Sequence, residues 1–255
     1  MTLFAALKSK TSKLRFAIWN SNKLGYRMLR PIYASVHFCR MFFFSAKYRH
    51  QTWAHLRYGK HFHQPPNFTM PNRYPALFKI AQDYFAGRSE VKLLSFGCST
   101  GEEVYSLHEY LPQAVIVGTD ISPYNLKRCL QKPQSPQLSF VHSLSEEFTN
   151  SGDFDAIFCL AVLQHTHNRS GVVKAVKYTF AQFEAQCLLL DGKLKSGGLM
   201  FIDHSDFKFL DTSIRAKYFP LQVPNNKLLH SRPLFNTQNE MLSESHESYR
   251  VFLKK

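Results

Sequence analysis

The residues with the clearest chemical potential lie in Gly97-Cys98-Ser99-Thr100-Gly101-Glu102-Glu103, which follows the apolar run 91–96 and opens a helix-like stretch. Small residues at a strand-to-helix turn let the backbone approach a ligand closely. A dinucleotide would call for Gly-x-Gly-x-x-Gly with a pyrophosphate on the helix N-terminus. Here Ser99 stands in place of the middle glycine, and Glu102 and Glu103 fill the first helical turn. Two carboxylates there repel a diphosphate and receive a cation. Asp120 closes a second apolar run, Val-Ile-Val-Gly-Thr-Asp, 19 residues after Gly101 (120 − 101). A carboxylate at the tip of a second strand accepts hydrogen bonds from both ribose hydroxyls. The set points to a nucleoside ligand that carries positive charge and no phosphate. S-adenosyl-L-methionine, with its ammonium and sulfonium, meets that requirement, and NAD does not.

Apolar runs at 91–96, 114–119, 137–141, 154–160 and 199–203 alternate with helix-like stretches, which predicts an α/β domain with a mostly parallel sheet. Residues 76–85 read as a helix leading into the first strand. Val173, Val176, Phe180, Phe183, Cys187, Leu190 and Leu194 recur at steps of three and four, which predicts one long helix stopped by Gly197-Gly198. Four prolines in 61–75 exclude a continuous helix and predict a linker or a flap over the site.

From about residue 64 onward the chain resembles the class I S-adenosylmethionine-dependent methyltransferases, and Cys-Ser-Thr-Gly-Glu-Glu-Val-Tyr-Ser-Leu (98–107) is similar to the first motif of the chemotaxis receptor methyltransferases. Thr69 and Arg73 repeat that family's Thr-x-x-x-Arg, and Phe154 to His165 resembles its fourth-strand motif. The resemblance implies a Rossmann-like, doubly wound, mostly parallel sheet of the class I type, with S-adenosyl-L-methionine as cofactor. It implies cofactor contacts from Thr69, Arg73, Gly97, Cys98, Ser99, Gly101, Glu103, Asp120, Ile121 and Leu160. Within that set Glu103 binds the ammonium, Asp120 the ribose, and Thr69 and Arg73 close over the methionine end. Two departures limit it: Leu160-Ala161 stand where the chemotaxis enzymes carry Arg-Asn, and no stretch resembles their inserted β-subdomain. The protein-glutamate substrate is therefore not carried over.

For catalysis, His165 after the fourth strand and His204 after the fifth are the candidate general bases, since imidazole titrates near neutrality. An ordinary loop histidine is the competing reading for each, in a chain with 12 histidines. Glu102 reads as a first-turn acid favourable to the helix dipole, Asp153 as a turn residue and Asp155 as a strand-end cap. Cys98 and Cys159 read as small packing residues, because methyl transfer needs no thiol nucleophile. No metal site is expected.

The remaining signal is charge. The chain has 255 residues, 44% hydrophobic and 15% aromatic, enough for a packed core. Its +14 lies wholly in residues 1–82, which hold 14 Lys/Arg and no acid; residues 1–60 hold 12 of them. This predicts a basic, aromatic-rich helical extension (1–60) ahead of a methyltransferase domain (61–255). The extension reads as a cap packed on that domain, as a contact for an anionic membrane surface or nucleic acid, or as a transit segment. No apolar run reaches the ~18 residues of a membrane span. Five scattered cysteines without a Cys-x-x-Cys pair fit a reducing, cytoplasmic compartment. The function expected is methyl transfer to a small-molecule acceptor. The alternatives are an RNA or protein methyltransferase, or a non-catalytic protein of this fold that binds nucleic acid or membrane through 1–60.

Overall fold

The computed structural model describes residues 23–59, 61, 68–169, 171–223, 232–243 and 249–255. Residues 1–22 of the basic extension and 62–67 of the proline-rich stretch lie outside the described residues. Contacts divide the chain into two compact units between Trp53 and Ala54. The first contains α1 (Leu24–Phe44) and the start of α2 (Ala46–Tyr58). The Ser45 N–H closes α1 on Met41 O at 3.0 Å. Arg49 donates from Nη1 to Phe42 O and Phe43 O at 3.0 and 2.9 Å, a cation on the negative end of the helix.

The second unit is built on seven strands in the order β3-β2-β1-β4-β5-β7-β6. They are β1 (Lys92–Phe96), β2 (Val115–Asp120), β3 (Leu138–His142), β4 (Phe154–Leu160), β5 (Leu194–Asp203), β6 (Tyr218–Leu221) and β7 (Val251–Lys254). The first five pair in parallel, and β7 runs antiparallel between β5 and β6. Period-two alternation sends Leu94, Cys159, Met200 and Ile202 into one core and Leu93, Phe158, Leu199 and Phe201 into the other. Both faces are covered, as a parallel sheet requires. α3 (Pro75–Tyr84) and α4 (Glu102–Tyr110) contribute to one core, α6 (Glu146–Asn150) and α7 (Phe180–Asp191) to the other. Phe158 and Phe201 stack across β4 and β5 with centroids 4.3 Å apart. α5 (Pro123–Cys129) follows β2.

The first four predicted strands and the helix before β1 appear within a few residues of their expected bounds; the fifth strand starts at Leu194, five residues early, and the helix before it is shorter than expected. The long helix expected from Val173 to Leu194 is only Phe180–Asp191. Val173 is 75% exposed and Val176 59%. Upstream of Thr179 the backbone is drawn into bridges instead: Met241 N donates to Val173 O and Ala175 N to Asn239 O, at 2.9 and 2.8 Å. Thr179 N donates to Gln182 Oε1 at 2.9 Å, which fixes the helix start there. Gly197-Gly198 do not stop the helix; they lie inside β5 at an irregularity. Phe154 faces Leu194 and Ala156 faces Leu199, so β5 uses five positions (199 − 194) where β4 uses two (156 − 154). Gly197, at φ +72°, supplies the left-handed backbone this requires.

Asp153 lies just before β4 at φ +55°. Asp155 accepts from Lys92 N at 2.8 Å and pairs with Lys195 at 2.9 Å, joining β1, β4 and β5 at the edge opposite the site.

Candidate functional site

β1 lies between β2 and β4, so the strand order reverses at its carboxyl end, where open α/β sheets bind ligands. The turn after β1 is tightly specified. Gly97 N and Cys98 N both donate to Thr119 O at 2.8 Å, and Gly101 N donates to Cys98 O at 2.9 Å. Gly97 and Gly101 adopt φ +76° and +90°. At Gly97 the need is doubled, because a Cβ would stand 2.5 Å from Val162 Cγ2. We expect Gly97→Ala to cost about 3 kcal/mol from left-handed backbone plus overpacking. Thermal unfolding would show it as a fall of roughly 10 °C, and an unchanged melting temperature would refute it.

Three non-glycine residues at the same rim also have positive φ: Ser99 (+53°), Ala161 (+61°) and His204 (+55°). They follow β1, β4 and β5. Each is held by hydrogen bonds, with Ser99 N on Asp120 Oδ2 at 2.9 Å, Ala161 N on Asp203 O at 2.8 Å and His204 N on Asp203 Oδ1 at 2.7 Å. Backbone held in this region against its preference concentrates at ligand sites.

Asp120 ends β2 in a buried position. Its Oδ1 accepts from Ser122 N at 2.8 Å and Asn125 Nδ2 at 3.0 Å, and its Oδ2 from Ser99 N. Burial pushes its carboxyl up to about 6 despite these donors. The two adjacent glutamates have different environments. Burial raises Glu102, but the Lys132 ammonium at 2.8 Å and the Thr100 hydroxyl at 2.6 Å outweigh it and hold the carboxyl below its ordinary value. Glu103 faces the interior, where burial pushes it up to about 8, opposed by the Ser95 hydroxyl, which donates at 2.7 Å, and by the Arg73 charge. Among the described residues no cation pairs with it directly.

These groups border a cavity of about 230 Å³. Of the ten residues expected to contact a cofactor, Thr69, Arg73, Gly97, Cys98, Ser99, Glu103, Asp120, Ile121 and Leu160 line it. Gly101 does not; it is the left-handed residue from which α4 starts. Arg73 stacks over Phe68 and Tyr74 at 5.2 and 5.1 Å and donates to Phe68 O at 3.1 Å. Beyond Asp120 the wall is formed by Ile121, Ser143, Leu144 and Phe148. Leu144 stands just after β3, where a polar adenine contact often sits, and its neighbour Ser143 is a site residue that sequence reasoning missed, although its place after β3 was the available signal.

Tyr74 was also missed. It lines the cavity next to Arg73, and its hydroxyl is 2.7 Å from His204 Nδ1. The His204 side chain is 6% exposed and does not line the cavity, whereas its partner Tyr74 does. Burial lowers its imidazole to about 4, with Asp203 acting in the opposite direction and Arg232, Arg73 and Arg250 adding to the fall. Burial likewise keeps the Tyr74 phenol protonated well above its ordinary range. His165 does not line the cavity. Its N–H donates to Asp206 Oδ2 at 2.8 Å, and its Nδ1 accepts from His167 N at 3.0 Å.

Residues 94–180, from β1 to the first residue of α7, match the model of a family described as a methyltransferase domain. No curated protein matches the chain. Among solved structures it is similar to the plantazolicin methyltransferase BpumL in complex with SAH, at 15% identity over 69% of this chain and 61% of that one, TM-score 0.37. It is also similar to CalS10, an amino pentose methyltransferase from Micromonospora echinaspora, at 20% identity over 54% and 57%, TM-score 0.36. PKMT2 from Rickettsia typhi in complex with AdoHcy gives 20% identity over 54% and 26%, TM-score 0.37. The chain thus spans less than two thirds of each of these proteins. The sheet order and the domain match give a Rossmann-like fold of the class I methyltransferase type.

Proposed function

We propose that this chain is an S-adenosyl-L-methionine-dependent methyltransferase acting on a small-molecule acceptor. One observation carries the reading: a single cavity presents Arg73, Glu103 and Asp120 together. A guanidinium and a carboxylate at one end suit the zwitterionic methionine moiety, and a strand-tip carboxylate suits the ribose. The Glu103 carboxyl, with the Ser95 hydroxyl as partner, fits an arriving ammonium that would draw off its proton. Ile121, Leu144 and Phe148 offer apolar surface to the adenine.

The cofactor supplies an electrophilic methyl group on a sulfonium that leaves as a neutral thioether. The protein's part is mainly alignment, with Thr69 and Arg73 over the methionine end and the turn 97–101 fixing the nucleoside. Of the two histidines, we keep His204 as a positioning residue that acts on the acceptor through Tyr74, and leave His165 to the loop after β4. The neutral Tyr74–His204 couple adds a hydrogen-bonding phenol to the cavity without adding charge. The likeness of 98–107 to the chemotaxis receptor methyltransferases is read as shared cofactor chemistry. Five free cysteines support a reducing, cytoplasmic setting.

The test is thermal shift and calorimetry with S-adenosylmethionine and S-adenosylhomocysteine. Ligand at about a hundred times its Kd should stabilise the fold by about 2.7 kcal/mol. No shift with either would overturn the reading and favour a non-catalytic protein of this fold.

A further inference from the structure

α1 is exposed on the wrong side for a helix that packs on a core. Leu24, Met28, Ile32, Val36, Cys39 and Phe43 recur at steps of four, four, four, three and four, which puts them on one face. All six are exposed, Ile32 at 61%, Val36 at 64% and Phe43 at 69%. The stripe runs about 28 Å along the helix at 1.5 Å per residue. The opposite side, with Tyr26, Arg30, Tyr33, His37 and Met41, is the half-buried one. A core-facing amphipathic helix shows the reverse.

The charge beside this stripe is of one sign. Arg27 and Arg40 are exposed and flank it on either side, and residues 1–60 carry 12 Lys/Arg without a single Asp or Glu. No helix among the described residues is long and apolar enough to cross a membrane. We infer that α1 docks the protein on an anionic lipid surface, lying in the interface with the Leu24–Phe43 stripe among the acyl chains and the arginines at the phosphates. Charge complementarity selects this occupant. A second copy would bring the same excess of cations, and so would residues 1–22, which hold four Lys/Arg and no acid. Nucleic acid would satisfy the cations and leave six apolar side chains in water.

The chain carries its own reporter, since its two tryptophans, Trp19 and Trp53, both lie within residues 1–60. The experiment adds vesicles of phosphatidylcholine, with or without phosphatidylserine, to the full chain and follows tryptophan emission and co-sedimentation. A blue shift and sedimentation with phosphatidylserine vesicles are expected. Affinity should fall about tenfold or more without the anionic lipid or at high salt. Ile32→Glu with Val36→Glu should weaken vesicle binding at least about tenfold, because two charges would enter the apolar layer. Both positions are exposed, so far-UV circular dichroism should be unchanged. Vesicle binding that survives this double substitution would overturn the proposal. So would absence of binding to phosphatidylserine vesicles by the native chain, whether or not it binds an RNA oligonucleotide. Cofactor affinity reads the methyltransferase assignment separately, and its loss would leave the docking result standing.

Discussion

Asp120→Ala should remove S-adenosylhomocysteine binding from the calorimetric range, a loss of at least about a hundredfold. A ribose bound at this carboxylate makes two charge-assisted hydrogen bonds, each worth about 1.5–3 kcal/mol, and every 1.4 kcal/mol is tenfold. The same side chain holds the cofactor turn, accepting from Ser99 N on one side and from Ser122 N and Asn125 on the other. Its removal therefore orphans the N–H of a residue already at φ +53°. Asp120→Asn keeps volume and one acceptor oxygen, lacks the charge and sets an amide N–H against one of these donors. It should lose less thermal stability than Asp120→Ala and still bind much more weakly. Since burial places the carboxyl near 6, native affinity should fall as pH drops below that value and the acceptor becomes an acid. Unchanged affinity in both variants would remove the ribose assignment.

The second large effect is a pH dependence that Glu103→Gln should abolish. In the free protein burial holds Glu103 protonated up to about pH 8. An ammonium beside it favours the carboxylate and draws that value down, so binding near neutrality expels a proton. Affinity should then rise by up to about tenfold per pH unit until about 8 and level off above it. Stability of the free protein runs the other way. The native state holds a proton that the unfolded chain has lost, so this group's contribution fades as pH climbs from 4.5 to 8. The amide that Glu103→Gln introduces can still accept from the Ser95 hydroxyl, so the variant should fold, bind weakly and show a flat profile. Calorimetry in two buffers of different ionisation heat reads the released proton directly. A native profile without slope, or a variant that keeps one, would refute the ammonium assignment.

The sequence was most legible where one physical cause dominated. β1, β2 and β4 are largely buried, so they appear as mostly apolar runs at nearly their observed bounds. The glycine turn and Asp120 were legible because close backbone approach and a strand-tip acid each restrict residue type. Local pattern misled where tertiary pairing intervened. Val173 and Val176 continue the period of α7, yet their stretch bonds to residues 239–241. β6 and β7 have four residues each, and Pro220 in β6 gives no strand signal. Tyr74 and His204 are 130 residues apart, and only the folded sheet brings them together.

The placement of β7 bears on the order of assembly. Strands β1 to β5 can zip in parallel as their segments become available, but β6 (Tyr218–Leu221) pairs only with β7 within the sheet, and β7 begins 30 residues later (251 − 221). Until Val251–Lys254 slides in, β5 presents a bare edge and β6 has no rail to join. The sheet therefore closes like a drawer whose last slat is pushed into the middle, a late, long-range step of the kind that slows folding. Until β7 is in place the flank of β5 that carries Met200 and Phe201 is an unpaired edge, open to unwanted strand pairing.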